Sequence, residues 1–216
     1  MTSVAHQMGW SERDPSREAG RHEVANLPGG LLWPDALPDL RTDHLELSVL
    51  SLEDAADVAE MFSDPEVTRF MGLDTMTEPA QGEAAIEEVL SAHAGHRAMR
   101  WGIRLRQSPR LVGTVGFLNV SDQHRRAELG YDLGRPYWGV GLVREATAAA
   151  ISYGFGTVGL HRVEADVHPD NHASIRVLER LGFRYEGMLR DYLFLKDQFQ
   201  SIRRYGLLRE DFRPSG

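Results

Sequence analysis

The sequence predicts one mixed α/β domain in which helices cover a central sheet. Segments whose apolar residues alternate with a period of two are interspersed with segments of helical period, in the order β α α β β β α β α β β. Such an interspersed order is typical of a layered α/β domain. The length of 216 residues suits a single domain, or a single domain with an appendage.

Residues 1–40 differ from the rest of the chain because they are rich in Gly, Pro, Arg and Asp and show neither period. Gly29-Gly30 and several prolines punctuate the end of this stretch. Two interpretations stand: a flexible tail, or a segment that docks through Leu31, Leu32 and Trp33, for instance on a partner subunit. We therefore divide the chain into an N-terminal extension, residues 1–40, and a folded domain, residues 41–216.

The first half of the domain is predicted to contain three strands and two helices. Leu45, Leu47 and Val49 alternate with polar residues as in a half-buried strand. Ser51 and Asp54 resemble a helix N-cap followed by an acidic residue in the first turn. The elements that follow are a helix over 55–62 that Asp64-Pro65 ends, a loop over 71–80, a helix over 83–93, and a hairpin of strands over 101–106 and 111–120.

The second half alternates strands with helices and closes on two strands. The long helix of this half is rich in Ala, and Gly182 stops the shorter one. The predicted elements are a strand over 126–133, a helix over 141–155, a strand over 161–167, a helix over 174–181, and strands over 183–195 and 201–208.

Composition excludes several classes of function. The chain has 24 Lys plus Arg against 32 Asp plus Glu, a formal charge of −8, which argues against a general nucleic-acid binder. Cysteine is absent, which removes disulfides, Cys-based zinc sites and a thiolate nucleophile. The sequence contains no run of about 18 apolar residues, so it predicts no membrane-spanning helix. The N-terminus lacks the apolar core of a signal peptide, so we expect a cytoplasmic protein.

The segment Tyr137-Trp138-Gly139-Val140-Gly141 joins a predicted strand to the start of a predicted helix. Glycines at such a turn let backbone N–H groups approach a ligand, and the helix start adds unpaired donors and a partial positive charge. The segment therefore indicates either an anion site suited to phosphates or an ordinary structural turn. It lacks the third Gly of a dinucleotide fingerprint and the GK[ST] of a P-loop.

A second informative segment covers residues 168–183, where Pro169 ends a strand and Asn171 begins or caps the next helix. Asn171 and Ser174 are either helix caps or groups that offer an amide and a hydroxyl to a ligand. His161, His168 and His172 fall within a dozen residues but carry no HExxH pattern, so we expect no metal site.

These segments together resemble the GNAT superfamily of acyl-CoA-dependent N-acyltransferases, and more closely its branch of bacterial ribosomal-protein N-terminal (alanine/serine) acetyltransferases. The resemblance runs from about residue 41 to about residue 212 and implies a mostly antiparallel central sheet flanked by helices on both faces. The matching motifs are AELGYDL at 127–133, YWGVG at 137–141, HRVEADVHPDNHASIRVLERLGF at 161–183 and EGMLRD at 186–191.

The resemblance implies acetyl-CoA as co-substrate and direct attack of an amine on the thioester, with no metal. The absence of Cys agrees with this route because it excludes a cysteine acyl-enzyme. The pyrophosphate of CoA would lie on the glycine turn and the pantetheine arm along a splayed strand. The implied CoA-binding residues are Asp132, Leu133, Trp138, Gly139, Val140, Gly141, Leu142, Val143, Asn171 and Ser174.

Three positions depart from the family pattern. Val143 stands where the turn usually has Gly or Ala, and its bulk is expected to reshape the site rather than abolish it. Leu178 replaces the Tyr that many relatives use as thiolate acid. Leu193 replaces a Glu base found in some of the ribosomal-protein branch. That branch has a Ser at the position of Ser174, which is its suggested acid.

The base must then come from elsewhere, if one is used. Glu128 is the first candidate because several superfamily members use a Glu on this strand, and Asp191 is the second, followed by a water chain. The alternative for Glu128 is a salt bridge with Arg125 or Arg126. The alternative for Ser174 is helix capping.

The acceptor is predicted to be a primary amine, with a protein N-terminal α-amine first and a small-molecule amine (antibiotic, polyamine or amino acid) second. A non-catalytic CoA-binding regulator is the alternative of a different class. The loop at 71–80 and the second helix are expected to shape the acceptor cleft. Trp101, Phe117 and Trp138 either line it or belong to the core. Neither nucleic acid nor a membrane is expected as a partner, and a homodimer is allowed because relatives often dimerise.

Overall fold

An eight-stranded sheet forms the centre of the computed structural model, which describes residues 30–213. The strand order is β1-β2-β3-β4-β5-β6-β8-β7. Only β5 and β6 pair in parallel, and every other neighbouring pair in this described sheet is antiparallel. The strands are β1 (Leu40–Arg41), β2 (Leu45–Val49), β3 (Met99–Leu105), β4 (Leu111–Ser121), β5 (Arg126–Leu133), β6 (Arg162–Val167), β7 (Arg184–Leu195) and β8 (Gln198–Leu208).

Helices cover both faces of the sheet. Adjacent residues of β4 join different apolar clusters: Leu111 packs with α1 and α2, and Val112 packs with α3. Since successive strand side chains point to opposite faces, the two clusters lie on opposite sides of the sheet. The helices are α1 (Ala55–Ser63), α2 (Pro79–Ala94), α3 (Leu142–Tyr153) and α4 (His172–Arg180), with 3₁₀ turns at Leu52–Asp54 and Arg135–Tyr137 and a π turn at Gly154–Val158.

The predicted order of strands and helices is confirmed, and the departures are local. α2 begins at Pro79, four residues before the predicted start, because Glu78 and Gln81 form a capping box with Pro79 in the first turn. The predicted loop therefore ends at residue 78. The sequence pattern missed β1 because two residues are too few to show a period.

The functionally important feature of the sheet is the separation of β5 from β6. Over the described residues the two strands pair only at Arg126–Glu128 and Arg162–Glu164. β5 then continues to Leu133, whereas β6 remains paired with β8 from Ala165 onward. The edge of β5 that faces β6 consequently borders a gap in the sheet, and this gap opens into the cleft described below.

Residues 30–39 lie against the domain. Leu31 N donates to Asp122 Oδ1 (2.6 Å), and Leu32 N donates to the carbonyl of Val158 (2.9 Å). The Trp33 ring stacks on the imidazoles of His93 and His96, with centroids 5.3 and 4.8 Å away. The part of the predicted extension that could be a flexible tail, residues 1–29, lies outside the described residues.

The described helices include none that is both long enough and apolar enough to cross a membrane.

Candidate active site

A cleft of about 2030 Å³ opens where β5 and β6 separate. Its walls come from the second half of β5, the turn before α3, the end of β6, the start of α4 and the β7–β8 hairpin. The predicted CoA-binding residues all line this cleft, as do Glu128 and Ser174. Residues that are distant in the sequence are thus brought to one site by the split in the sheet.

The glycine turn gives the cleft a backbone suited to an anion. Gly139 (φ 81°) and Gly141 (φ 92°) have the left-handed conformation that favours glycine. A Cβ built on either residue would meet no atom within 4 Å, so conformation rather than crowding requires glycine here. α3 begins at Leu142, and its first N–H groups lack intrahelical acceptors. This open cradle of donors fits a pyrophosphate.

Trp138 fixes the glycine turn to the end of β5. Its Nε1 donates to the carbonyl of Leu133 at 2.7 Å, and Leu133 is buried. The indole itself is 45% exposed and lines the cleft. A direct hydrogen bond therefore joins the glycine turn, which is expected to hold the pyrophosphate of CoA, to the end of β5, which is expected to hold its pantetheine arm.

Asp132 is committed to a buried ion pair. Its carboxylate contacts the Arg100 guanidinium and accepts from Thr114 Oγ1 at 3.0 Å, while Arg100 Nη2 also donates to Thr114 at 2.8 Å. Burial lowers the pKa of Arg100, although Asp132 acts in the opposite direction. This leaves the main chain of Asp132 as the part that could bind CoA. Arg100 lies one residue before the predicted strand over 101–106, whereas the observed strand β3 begins at Met99 and includes it.

Asn171 caps α4, which is the first of the two interpretations of this residue given above. Its Oδ1 accepts from Ser174 N at 3.1 Å, which leaves the Nδ2 group as the donor that the side chain can offer to a ligand. Ser174 Oγ does not serve that cap. It lies 2.5 Å from the hydroxyl oxygen of Tyr131 on β5.

Tyr131 is the cleft residue that sequence reasoning missed. It lies on the part of β5 that has left β6, and its ring reaches the first turn of α4. Burial raises the pKa of Tyr131 above its ordinary value. The motif AELGYDL contains this Tyr, but its partner on α4 is 43 positions away and no local pattern connects them.

Glu128 lies at the point where the strands separate, opposite Glu164. Its Oε2 accepts from Asn119 Nδ2 at 2.9 Å, and the residue is half-buried. Arg126, one of the two arginines considered as its partner, donates to Glu164 at 2.8 Å. Glu128 and Tyr131 point to opposite faces of β5, so the carboxylate and the Tyr131–Ser174 pair approach the split from different sides.

Asp191 is not brought to the same place. It is exposed, has a positive φ of 48°, and its N–H donates to Ser201 Oγ at 3.1 Å. It is not among the described residues that line the cleft, although its neighbours Tyr192 and Leu193 are. Glu128 therefore lines the same cleft as Ser174, and Asp191 does not.

The wall away from the glycine turn is formed by the loop between α1 and α2 and by the β7–β8 hairpin. Phe70 stacks on His168 with centroids 5.0 Å apart, and Lys196 Nζ at the hairpin tip donates to the carbonyl of Thr68 at 3.0 Å. From the loop between α1 and α2, residues 66, 67 and 69–72 line the cleft, whereas Thr68 does not. Residues 73–80 and α2, which were expected to shape it, contribute none of the lining within the described chain.

The aromatic residues considered for the acceptor pocket divide between core and cleft. Trp101 and Phe117 are fully buried in the core, and Trp101 Nε1 donates to the carbonyl of Pro38 at 2.9 Å. Only Trp138 of the three lines the cleft. Within residues 30–213 no group of His, Cys, Asp and Glu is arranged to hold a metal ion.

The split sheet and the glycine turn that faces it define an acyl-CoA-dependent acyltransferase. The family model described as the acetyltransferase (GNAT) domain matches residues 44–184. The chain belongs to the GNAT family, as the motifs indicated.

Several relatives agree with this assignment. N-acetyltransferase p20 of Bacillus licheniformis, itself uncharacterized, is 37% identical over 173 residues, covering 80% of this chain and 97% of p20. The ribosomal protein uS5-alanine N-acetyltransferase of Escherichia coli is 31% identical over 137 residues, covering 63% of this chain and 71% of that enzyme. The structure of Mycobacterium smegmatis RimJ in complex with CoA-disulfide superposes with a TM-score of 0.73 at 25% identity, covering 82% of this chain and 89% of RimJ. The protein is therefore an acetyl-CoA-dependent N-acetyltransferase.

Proposed function

We propose that this enzyme acetylates the α-amine at the N-terminus of a protein. The observation that carries the proposal is that Glu128 and Ser174 line one cleft together with the anion cradle, the loop between α1 and α2 and the β7–β8 hairpin. The similarity to an enzyme that acts on the alanine of ribosomal protein uS5 supports a protein acceptor.

Acetyl-CoA supplies the acetyl group as an activated thioester. The backbone N–H groups of the turn at 139–143 would hold its pyrophosphate, and the unpaired edge of β5 would hold its pantetheine arm. Asn171 Nδ2 would add a donor to that arm. Val143 lines the cleft and also packs against the main apolar core, and its side chain removes no backbone donor from the turn.

Glu128 is proposed to remove the proton of the attacking amine, directly or through a water. Asn119 Nδ2 donates to its carboxylate and holds it in place, as a positioned general base requires. Ser174 is proposed to donate to the sulfur of the leaving thiolate. We do not assign Asp191 a part, because its exposed side chain lies outside the cleft lining.

A small-molecule amine is the second candidate. The hydrogen bond from Lys196 to the carbonyl of Thr68 joins the hairpin tip to the loop between α1 and α2, and a cleft closed off by this contact would favour a smaller acceptor. The third candidate, a non-catalytic CoA-binding regulator, is favoured by Leu178, which is only 1% exposed where many relatives carry an acid.

We place the enzyme in the cytoplasm, where both acetyl-CoA and newly made proteins are found. Its partners would be acetyl-CoA and the amine acceptor, without nucleic acid or membrane. A homodimer stays a prediction of the family resemblance.

The release of CoA from acetyl-CoA distinguishes these candidates. The acceptors are peptides that begin with Ala or Ser, the same peptides with a blocked N-terminus and an internal Lys, and a panel of polyamines, aminoglycosides and amino acids. We expect turnover with the free-N-terminal peptides and none with their blocked counterparts. Turnover confined to small amines would favour the second candidate, and CoA binding without any turnover would favour the regulator.

A further inference from the structure

The Tyr131–Ser174 contact joins the two walls of the cleft. Tyr131 belongs to the half of β5 that no longer pairs with β6, and Ser174 belongs to the first turn of α4. Their hydroxyl oxygens are 2.5 Å apart, which is short for a hydrogen bond between two hydroxyls. The tyrosine hydroxyl also lies 3.4 Å from the Ser174 carbonyl, a longer contact that leaves Ser174 Oγ as its closer acceptor. Either hydroxyl oxygen could be the donor in the short contact, so the chemistry of the two groups must decide the direction.

Tyr131 is the donor on chemical grounds. A phenol is more acidic than an aliphatic hydroxyl, so the stronger hydrogen bond has the phenol proton directed at the serine oxygen. Burial raises the pKa of Tyr131, which keeps this proton on the phenol throughout the physiological range. The backbone of Ser174 is fixed independently, because its N–H donates to Asn171 Oδ1 at 3.1 Å.

The consequence concerns the hydrogen of Ser174 itself. When Ser174 Oγ accepts from Tyr131, its own O–H must point away from the tyrosine, and the cleft is the space that both residues line. Without the tyrosine hydroxyl, the serine O–H could turn toward other acceptors.

Building on the proposed function, we infer that Tyr131 is a positioning residue that sets the donor direction of Ser174. In the reaction a C–N bond forms and the C–S bond breaks. Glu128 accepts the proton that leaves the amine nitrogen, and the departing sulfur, which carries the electron pair of the broken bond, accepts a hydrogen bond from Ser174 and then a proton through solvent or Glu128. Tyr131 itself remains neutral throughout. For a neutral amine no net proton is gained or lost.

The test compares Tyr131→Phe with Tyr153→Phe. Both changes remove one phenol hydroxyl, but Tyr153 packs edge-on against Trp101 outside the cleft lining. We expect Tyr131→Phe to lower kcat about tenfold, the effect of one lost hydrogen bond, with little change in the KM for acetyl-CoA. Tyr153→Phe should retain the wild-type kcat. Calorimetric titration of CoA into each variant checks that the cleft is intact.

Two further measurements distinguish positioning from a structural role. Ser174→Ala should lower kcat by at least as much, and adding Tyr131→Phe to it should cost nothing more, because both act through one hydrogen bond. With the selenoester analogue of acetyl-CoA, whose selenolate leaves without help from a donor, the deficit of Tyr131→Phe should shrink.

Provided that the wild-type enzyme is active, any of three results would overturn the inference. These are an unchanged kcat in Tyr131→Phe, additive losses of kcat in the double variant, and the same loss of kcat with the selenoester as with acetyl-CoA. A wild-type enzyme that acetylates no amine would instead overturn the proposed function on which the inference rests.

Discussion

Arg100 and Asp132 form an ion pair whose side chains are only 1% and 10% exposed, at the base of the β5 edge that borders the cleft. Taking two charges out of water is costly, and the pair is tolerated because Thr114 bonds to both partners. Neither residue was predicted to interact with the other. This arrangement fixes β5 where it has lost its neighbour β6.

Replacing Arg100 with Met is expected to lower the free energy of unfolding by about 3–5 kcal/mol, because it leaves the Asp132 charge buried without its partner. The matched control is Arg110→Met. Arg110 pairs with Asp57 and Glu60 at the surface, where solvent screening leaves an ion pair with little effect on stability. Urea unfolding of both variants measures the difference, and equal losses would contradict the burial argument.

Glu128→Gln removes the proposed base while keeping the shape of the side chain. We expect kcat to fall by about 10²–10⁴, the range for general-base catalysis, and to recover partly with an acceptor of lower amine pKa that loses its proton more readily. Asp191→Asn serves as the comparison, since that carboxylate lies outside the cleft lining. A larger loss in Asp191→Asn than in Glu128→Gln would contradict the assignment of the base.

At the scale of elements, α3 carries both the anion cradle and the group that anchors it. Glu145, in the first turn, accepts from Thr42 Oγ1 (2.5 Å) and from His44 N (2.8 Å), and its Oε2 lies 3.0 Å from His44 Nδ1. The start of α3 is thereby tied to the chain between β1 and β2. Partial burial would raise the pKa of Glu145, but the hydrogen bonds from Thr42 and His44 outweigh it and lower the pKa.

This anchor makes stability depend on pH in a defined direction. Because the folded-state pKa of Glu145 is depressed, its contribution is present above the unfolded value of about 4.3 and is lost as pH falls through the lower folded value. We expect Glu145→Gln to cost about 2 kcal/mol at pH 7, the size of a hydrogen bond to a charged group. The difference from wild type in urea unfolding should narrow below pH 4, and a constant difference would contradict the assignment.

The glycine turn offers a second test at this scale. Gly141→Ala places a Cβ in open space but at φ 92°, so the cost is conformational, about 1–2 kcal/mol. We expect the Kd for CoA, measured by calorimetry, to rise by about tenfold as the turn relaxes. Gly156→Ala is the matched control, because its Cβ also meets open space and its φ lies outside the left-handed region. Equal affinities would show that the turn does not depend on this conformation.

The sequence predicted the strands and helices better than the contacts between them. Local periodicity sufficed for the strands and helices, and even the missed start of α2 was encoded in the capping box of Glu78 and Gln81. The separation of β5 from β6 was implied only by the family resemblance, as a splayed strand, because local periodicity does not report which strands pair or where the pairing ends. The Tyr131–Ser174 and Arg100–Asp132 contacts were likewise beyond local patterns, since each joins residues from different elements.

At the scale of the whole molecule, charge is distributed unevenly. The chain carries a net charge of −8, yet eight arginines and six acidic residues line the cleft. The overall field does not attract the anionic CoA, so binding must depend on local arginines and on the backbone donors of the turn.

The position of the acetyl group on a product peptide distinguishes an N-terminal acetyltransferase from the alternatives. A peptide that begins with Ala and contains one internal Lys is incubated with the enzyme and acetyl-CoA, and its fragments are analysed by mass spectrometry. We expect one acetyl group on the N-terminal α-amine, and none when Glu128→Gln replaces the wild type over the same interval. Acetyl groups on the Lys side chain alone, or an unmodified peptide beside acetylated small amines, would contradict this expectation.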